Sequence, residues 1–279
     1  MNAGDRVKTV FILGAGASKP AGVPLMADFL STATTLWRTG QVEGVGESFS
    51  AVFRAISALQ NVHSKADLDI HNLEAVFTAF EMAEALGKFP GLDASEIGGL
   101  ARAMRTVITA TIEQTLLLPM GAGPGEPGPP PPYNEFATLI KSLRSDASPK
   151  HDVAVITFNY DMALDYTFFA NRTPIDYGLG EAAAQNALPV LKLHGSLNWG
   201  KCENNCGIVP WTLPQHLSNR TWPASPRPQT FRLAIGSRLS EFRCPACSGS
   251  VDGPYLVPPT WSKFGSYARL CLANGHNRV

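Results

Sequence analysis

Three short turns in this chain carry glycine and polar residues of the kinds that bind and cleave small molecules. The first is Gly14-Ala-Gly-Ala-Ser18, and the others are Phe158-Asn-Tyr-Asp161 and His194-Gly-Ser196. Two glycines in the first turn allow the backbone to turn tightly and to approach a phosphate closely. Because each turn follows a short apolar run, we expect each to lie at the end of a strand.

The side chains in these turns suit chemistry on a nucleotide. Asn159 can hydrogen-bond a ribose or hold a water, and His194 can take a proton from a ribose hydroxyl or a polarised water. Asp161 can accept a hydrogen bond from a hydroxyl, and it can also cap the helix that follows. The alternatives are a tight turn without a ligand at Gly14 and a structural role for the histidine.

Strands and helices in alternation are predicted to position the three turns. Thr9–Leu13 is almost entirely apolar, which is typical of a strand buried on both faces, and Val153–Thr157 and Val190–Leu193 are two further strands. Helices are expected over Leu25–Trp37, Leu73–Ala83, Leu100–Leu116, Asn134–Leu143 and from Asp161 through Phe169. This order implies right-handed crossovers and a parallel sheet. Since ligands bind where parallel strands end, the three turns should face one pocket.

Four of the five cysteines form two close pairs, Cys202-x3-Cys206 and Cys244-x2-Cys247. In a reducing compartment such pairs indicate a metal before a disulfide, and four thiolates suit a closed, tetrahedral structural zinc site. The loop Glu203–Asn205 is longer than the usual two residues. The alternative is four free or buried cysteines. Cys271 is expected to be an ordinary buried residue.

Composition narrows the function classes. The chain has 279 residues, of which 44% are hydrophobic, so it can bury a sizeable core. Lys plus Arg equals Asp plus Glu at 23 each, and this balance gives no electrostatic reason to expect nucleic acid or an anionic membrane as a partner. Neither a secretory signal nor a membrane span is found in the sequence. We therefore predict a soluble, cytoplasmic protein.

The chain is predicted to be an α/β protein with two insertions. The main domain is assigned to residues 1–200 and 248–279, with a helical insertion at about 40–118. The Pro- and Gly-rich segment 119–132 is expected to be a linker or mobile surface loop, with a polyproline ligand as the alternative. Residues 201–247 are expected to form a small irregular module around the four cysteines.

Taken together, the motifs resemble the sirtuin-like family. The matching segments are Gly14-Ala-Gly-Ala-Ser18 with Ala21-Gly-Val-Pro24, then Thr157-Phe-Asn-Tyr-Asp161, then Leu193-His-Gly195, followed by the two cysteine pairs. Asn72-Leu-Glu74 and Val257-Pro-Pro-Thr-Trp261 are closer to the prokaryotic branch associated with anti-phage defence. The resemblance covers roughly residues 9–263.

The resemblance implies a Rossmann-like parallel sheet with a helical insertion and a small zinc-ribbon-like insertion. It places NAD across the strand ends, and Asn159 and His194 match the family's catalytic pair. The cofactor-binding residues that it implies are Gly14, Ala15, Gly16, Ala17, Ser18, Pro24, Asp28, Phe29, Thr157, Asp161, Gly195 and Ser196. The implied ligands of a structural zinc are Cys202, Cys206, Cys244 and Cys247.

The activity implied by the resemblance is an NAD glycohydrolase that releases nicotinamide and ADP-ribose and depletes NAD in phage defence. Its activating partner is expected to be another protein or a second copy of the chain. The first alternative is an NAD-dependent protein deacylase. Deacylating sirtuins usually follow the Gly-Ile-Pro turn with Asp-Phe-Arg, whereas here Pro24 is followed by Leu25-Met-Ala-Asp-Phe-Leu30 without an arginine, which argues against it.

The second alternative is a truncated, non-catalytic module that binds NAD or ADP-ribose. Relatives normally continue past the Pro-Pro-Thr-Trp segment to a strand that ends in a Gly-Tyr-Ser-Leu-Pro-like turn. No such turn follows in this sequence, which ends at Asn274-Gly-His-Asn-Arg-Val279. We therefore expect either a truncated product or a missing strand that comes from elsewhere.

Overall fold

A computed structural model describes residues 7–42, 44–62, 69–123, 126–146, 151–180, 184–217 and 230–257. The strands are β1 (Val7–Leu13), β2 (Leu118–Pro119), β3 (His151–Thr157), β4 (Ile175–Asp176), β5 (Leu188–Lys192), β6 (Gly195–Ser196), β7 (Trp199–Cys202), β8 (Ile208–Pro210), β9 (Thr230–Phe231), β10 (Val251–Asp252) and β11 (Tyr255–Leu256). The α-helices are α1 (Met26–Arg38), α2 (Gly46–Val62), α3 (Leu73–Leu86), α4 (Ala94–Ile97), α5 (Leu100–Thr115), α6 (Tyr133–Lys141), α7 (Ala163–Ala170) and α8 (Leu213–Leu217).

The main sheet has four parallel strands in the order β1-β3-β5-β4. Its register pairs Leu13 with Thr157 and Thr157 with Lys192, so the three predicted strands end at the same level. The mixed α/β class, the parallel sheet and these three strands are thereby confirmed. The short strand β4 was not predicted, and no described helix is both long and apolar enough to cross a membrane.

One face of the sheet is packed into the core, whereas the other carries exposed apolar side chains. Phe11 of β1 meets Phe136 of α6 edge-on, with 5.2 Å between ring centroids. On the opposite face, Val10 is 56% exposed and Ile12 is 67% exposed. The prediction that β1 is buried on both faces is therefore wrong, because an apolar run does not reveal whether a neighbouring element covers each side.

Five α-helices, α1 to α5, lie between β1 and β2. The helices α1, α2 and α3 pack against α5, and together they bury Phe49, Phe77 and Met104 completely. The helix α3 begins where the side chain of Asn72 accepts the backbone N–H groups of Glu74 and Ala75. The helix α2 was not predicted.

The described parts of the segment 119–132, which are residues 119–123 and 126–132, contact the rest of the domain. Pro119 pairs with Thr230 in a two-stranded antiparallel ladder, and the backbone N–H of Gly128 donates to the carbonyl of Pro119 at 2.7 Å. The hydroxyl of Tyr166 donates to the carbonyl of Pro127 at 2.7 Å, and Pro127 is buried. These contacts differ from those expected of a linker or mobile loop, because a segment rich in proline and glycine can still be buried and can still pair at a sheet edge.

Candidate functional site

The three predicted turns meet at the carboxyl edge of the main sheet. The side-chain amide of Asn159 donates to the carbonyl of Gly14 at 2.9 Å, which joins the second turn to the first. The backbone N–H of Leu193 donates to the carbonyl of Thr157 at 3.0 Å, which holds the approach to the third turn beside the second. The ring of His194 lies 5.2 Å from that of Phe158 and 6.0 Å from that of Tyr160.

The first turn is an exposed single turn of 3-10 helix over Ala15–Ala17, whose two glycines face open space. A Cβ atom added at Gly14 or Gly16 would meet no atom of the described residues within 4 Å, and neither residue has a left-handed backbone. The fold itself therefore does not require glycine at these positions. The helix α1 begins at Met26, one residue after its predicted start, so the N–H groups at the first turn belong to the 3-10 turn and not to α1.

The second turn is held by a buried polar network. Asn159 is 8% exposed, and its amide nitrogen also donates to the Ser18 hydroxyl at 3.0 Å. The Ser18 hydroxyl lies 2.9 Å from the phenol oxygen of Tyr133. Burial, together with the nearby Asp161 carboxylate, raises the pKa of Tyr133, so its phenol stays protonated at neutral pH. No pattern in the sequence indicates Tyr133 as a site residue, since it follows a proline run far from the three turns.

Asp161 stabilises the start of α7. Its carboxylate accepts the backbone N–H of Ala163 at 2.9 Å, which fits the capping role that the sequence allowed. Burial raises the pKa of Asp161, and the positive charge of Lys192 partly opposes that effect. The ammonium of Lys192 donates to the Asp161 carbonyl at 2.7 Å and to a carboxylate oxygen of Asp165 at 2.8 Å.

The third turn is fixed by the strand pair β6 and β11. Gly195 has a φ of 81°, and a Cβ atom there would lie 2.1 Å from the carbonyl oxygen of Tyr255. The fold therefore requires this glycine, unlike Gly14. Ser196 is fully buried and pairs with Tyr255, and the N–H of Val257 donates to the His194 carbonyl at 2.7 Å. These contacts hold His194, itself partly exposed, beside the second turn.

The remaining predicted cofactor-binding residues are placed differently. Phe29 is buried in the hydrophobic core, Asp28 is exposed in the first turn of α1, and Pro24 is partly exposed. Within the described ranges, no hydrogen bond joins the side chains of these three residues to the turns. A cavity of about 470 Å³, lined by Phe169, Leu213 and others, lies apart from the three turns and shares no residue with them.

The four predicted zinc ligands form a compact cluster. Their sulfur atoms all lie within 4.8 Å of one another, and those of Cys202 and Cys247 are 3.5 Å apart. Zinc bonded to four sulfurs at about 2.3 Å requires sulfur atoms about 3.8 Å apart, so the donor set fits this ion. The four cysteines are thus positioned to bind a metal, which is consistent with structural zinc.

The local backbone explains why the cysteines converge. Cys202 is the last residue of β7, the central strand of a three-stranded antiparallel sheet in the order β10-β7-β8. Each of the two cysteine pairs spans a tight turn. The N–H of Cys202 donates to the carbonyl of Gly207, and the N–H of Cys244 donates to that of Gly249. Hydrogen bonds from the Gly249 N–H and the Asn204 amide lower the pKa of Cys247 to about 6, which favours the thiolate that a metal requires.

The cysteine module is larger than predicted. It begins at Trp199 and ends at Asp252, because β7 and β10 flank the two turns. Cys271 lies outside the described residues.

Comparison with known proteins adds no family assignment. No protein-family model matches the chain, and no curated protein matches it either. Membership of the sirtuin-like family, and with it the finer Rossmann and zinc-ribbon assignments, therefore stays a prediction from the motifs.

Proposed function

We propose that this chain binds NAD across the three turns and hydrolyses it to nicotinamide and ADP-ribose. The observation that carries the proposal is the open space above Gly14 and Gly16, next to the amide of Asn159. Glycines that the fold does not require are explained by a ligand that approaches the backbone closely, as a pyrophosphate does. The role that we propose for the reaction is depletion of NAD in phage defence, triggered by a protein partner or a second copy of the chain.

The residues of the site support a dissociative hydrolysis. When the bond between the ribose C1′ and the nicotinamide nitrogen breaks, its electron pair neutralises the pyridinium nitrogen and leaves an oxocarbenium-like ribose. Water then bonds to C1′ and gives up a proton. In the proposal His194 takes that proton as general base, and Asn159 orients the ribose or the water. The rings of Phe158 and Tyr160 beside His194 limit the access of bulk water.

One observation favours a second candidate, a module that binds NAD without cleaving it. The amide nitrogen of Asn159 already donates to Gly14 and to Ser18, so both of its hydrogens have partners within the protein. Such an amide is suited to positioning the first turn. A turnover assay separates the two candidates, and an acyl-lysine peptide added to the same assay tests the deacylase alternative.

Alanine at Gly14 or Gly16 is expected to weaken NAD binding at least about tenfold while leaving the fold intact. The added methyl group meets no protein atom, so the free energy of unfolding should stay level or rise by about 0.4–1 kcal/mol. Calorimetric titration with NAD and urea unfolding measure the two quantities. The matched control is Gly22→Ala, because Gly22 has a φ of 96° and its Cβ would lie 2.2 Å from the carbonyl oxygen of Thr115.

The control should lose stability, and the two turn variants should not. Unchanged NAD affinity in both Gly14→Ala and Gly16→Ala would show that no ligand approaches the first turn.

Replacing His194 by glutamine is expected to lower the rate of nicotinamide release about 100-fold or more, because glutamine cannot act as the base. NAD should still bind, since the backbone contacts of the turn with Val257 and Tyr255 remain. Chromatography of nicotinamide and ADP-ribose measures the rate, with Asn159→Ala alongside. If the unaltered chain binds NAD but releases no nicotinamide under activating conditions, with or without an acyl-lysine peptide, the binding module replaces the hydrolase.

A further inference from the structure

A cationic cleft lies between α5 and the turn that joins β10 to β11. Its volume is about 230 Å³, and its charged lining residues are Arg102, Arg105, Lys201 and Asp252. Thr106 and the segment 253–256 complete the walls. Three cations and one carboxylate leave the cleft with a net charge of +2.

The two arginines are three residues apart on α5, so they project from the same face of the helix. Among the residues that the structure describes, neither arginine nor Lys201 forms an ion pair, although Arg54 and Arg238 elsewhere do so. Neighbouring like charges on a helix repel each other, and a bound anion would relieve that repulsion.

Among the described residues that line the cleft, Asp252 supplies the one carboxylate, and it lies next to Lys201. Asp252 of β10 is the direct cross-strand neighbour of Lys201 of β7. Opposite charges at such positions attract each other, so Asp252 mainly offsets the lysine. The charge that remains is that of Arg102 and Arg105, whose planar forks match the geometry of phosphate oxygens.

The helix α5, which carries both arginines, is anchored beyond the cleft by a buried contact. The carboxylate of Glu113 on α5 accepts the backbone N–H groups of Ile235 at 2.8 Å and Gly236 at 2.7 Å. This contact fixes α5 against residues 235–236 of the cysteine module. The backbone of the wall that carries the arginines is therefore held in place, which lowers the entropy cost of binding a ligand.

The size of the cleft limits what can enter it. Pockets for whole drug-sized ligands have volumes of roughly 300–1,000 Å³. The cleft is smaller, so it suits a compact anion rather than a complete dinucleotide. Apolar walls from Pro254 and Leu256 reduce solvent screening around that anion.

We propose that this cleft binds the di- or triphosphate group of a small molecule, held by Arg102 and Arg105. The same chemistry is presented by inorganic polyphosphate and by a nucleoside triphosphate. The cleft is separate from the three turns, because none of its lining residues belongs to them, although Tyr255 and Leu256 line it and also pair with Ser196 and Gly195.

Calorimetric titration of the full chain with inorganic tripolyphosphate tests the proposal. Arg102→Gln and Arg105→Gln are each expected to weaken binding about tenfold. Arg38→Gln removes the same charge at an exposed position outside the cleft and should change affinity less than about twofold. Asp252→Asn should strengthen binding, since it removes the one negative charge among the described residues that line the cleft.

The proposal is overturned if both cleft variants bind tripolyphosphate like the unaltered chain, or if Arg38→Gln weakens binding equally. Titration with adenosine triphosphate distinguishes a nucleotide from inorganic polyphosphate as the ligand. If adenosine triphosphate binds more tightly than tripolyphosphate, the cleft recognises a nucleotide. If the two bind equally, the cleft recognises the phosphates alone. Gly14→Ala should leave tripolyphosphate binding at the cleft unchanged. The inference can therefore fail while NAD still binds at the three turns, and it can hold if NAD does not.

Discussion

Zinc removal is expected to unfold the cysteine module, with the largest loss of stability of any change to this protein. The strands of the module contain only two to four residues each, so packing alone provides little stability. Structural zinc contributes an apparent free energy of about 10–16 kcal/mol in comparable small sites. Chelation of the zinc-loaded chain, or Cys244→Ser, should therefore expose Trp199 and Trp211, which are both buried in the module.

Tryptophan fluorescence during chelation gives the readout, and metal analysis gives the stoichiometry. One zinc per chain is expected before chelation. The emission should shift to the red as the stacked rings of Trp211 and Phe242, whose centroids lie 5.4 Å apart, separate. The matched control is Cys271→Ser, which removes the one cysteine outside the cluster. A Cys244→Ser chain that keeps its zinc and its emission maximum would contradict the assignment.

The metal should also influence the third turn, because the module and the turn are continuous in the chain. Strand β7 begins three residues after Ser196, and β10 leads through a short turn into β11, which pairs with β6. Unfolding of the module would release both sides of the pair that holds His194. The proposed NAD cleavage is therefore expected to be lost together with the tryptophan signal when zinc is removed.

Local sequence patterns predicted three of the four strands of the main sheet and five of the eight described α-helices, because those patterns depend on nearby residues alone. Strand β3 extends the predicted Val153–Thr157 by two residues, and α5 lies within the predicted Leu100–Leu116. The helix α2 was missed although Phe49, Val52 and Ile56 show helical spacing, so that signal was present in the sequence. The convergence of three distant turns was predictable from strand polarity.

Other features depend on long-range partners that no local pattern encodes. The exposure of Val10 and Ile12 on β1 depends on which elements cover the sheet. Burial of Pro127 depends on Tyr166, whose hydroxyl donates to its carbonyl. Tyr133 joins the site through Ser18, more than a hundred residues away in the chain. The need for Gly195, and the lack of such a need at Gly14, emerges only from the distances to neighbouring backbone.

Lys192 is the clearest case of a residue whose role the sequence concealed, and its replacement by methionine is expected to cost about 3–5 kcal/mol of unfolding free energy. A lysine in a short strand would ordinarily be placed at the surface. Here it is 4% exposed, and its ammonium lies 2.8 Å from a carboxylate oxygen of Asp165. Methionine retains the volume but leaves the Asp165 carboxylate buried without a countercharge.

The unfolding free energy lost in Lys192→Met should depend on pH, in a direction set by Asp161. Burial already raises the pKa of Asp161 above its ordinary value, and loss of the Lys192 charge removes an influence that lowers it. A carboxyl whose pKa is raised in the folded state binds a proton more tightly there than in the unfolded chain. Stability is then greatest below the unfolded pKa and falls as pH rises through the folded pKa. Lys192→Met should therefore lose stability more steeply above about pH 4 than the unaltered chain does.

A double-mutant cycle separates the ion pair from simple packing. Asp165→Asn removes the charge and keeps the shape, and the amide oxygen can still accept the hydrogen bond that Tyr177 donates to Asp165. If the penalty in Lys192→Met is an unpaired buried charge, adding Asp165→Asn should recover about 1–3 kcal/mol, so that the double variant is more stable than the lysine single variant. Urea unfolding at neutral pH measures all four chains. Additive losses would mean that Lys192 contributes packing alone, and that the second turn is fixed to β5 without help from the buried charge pair.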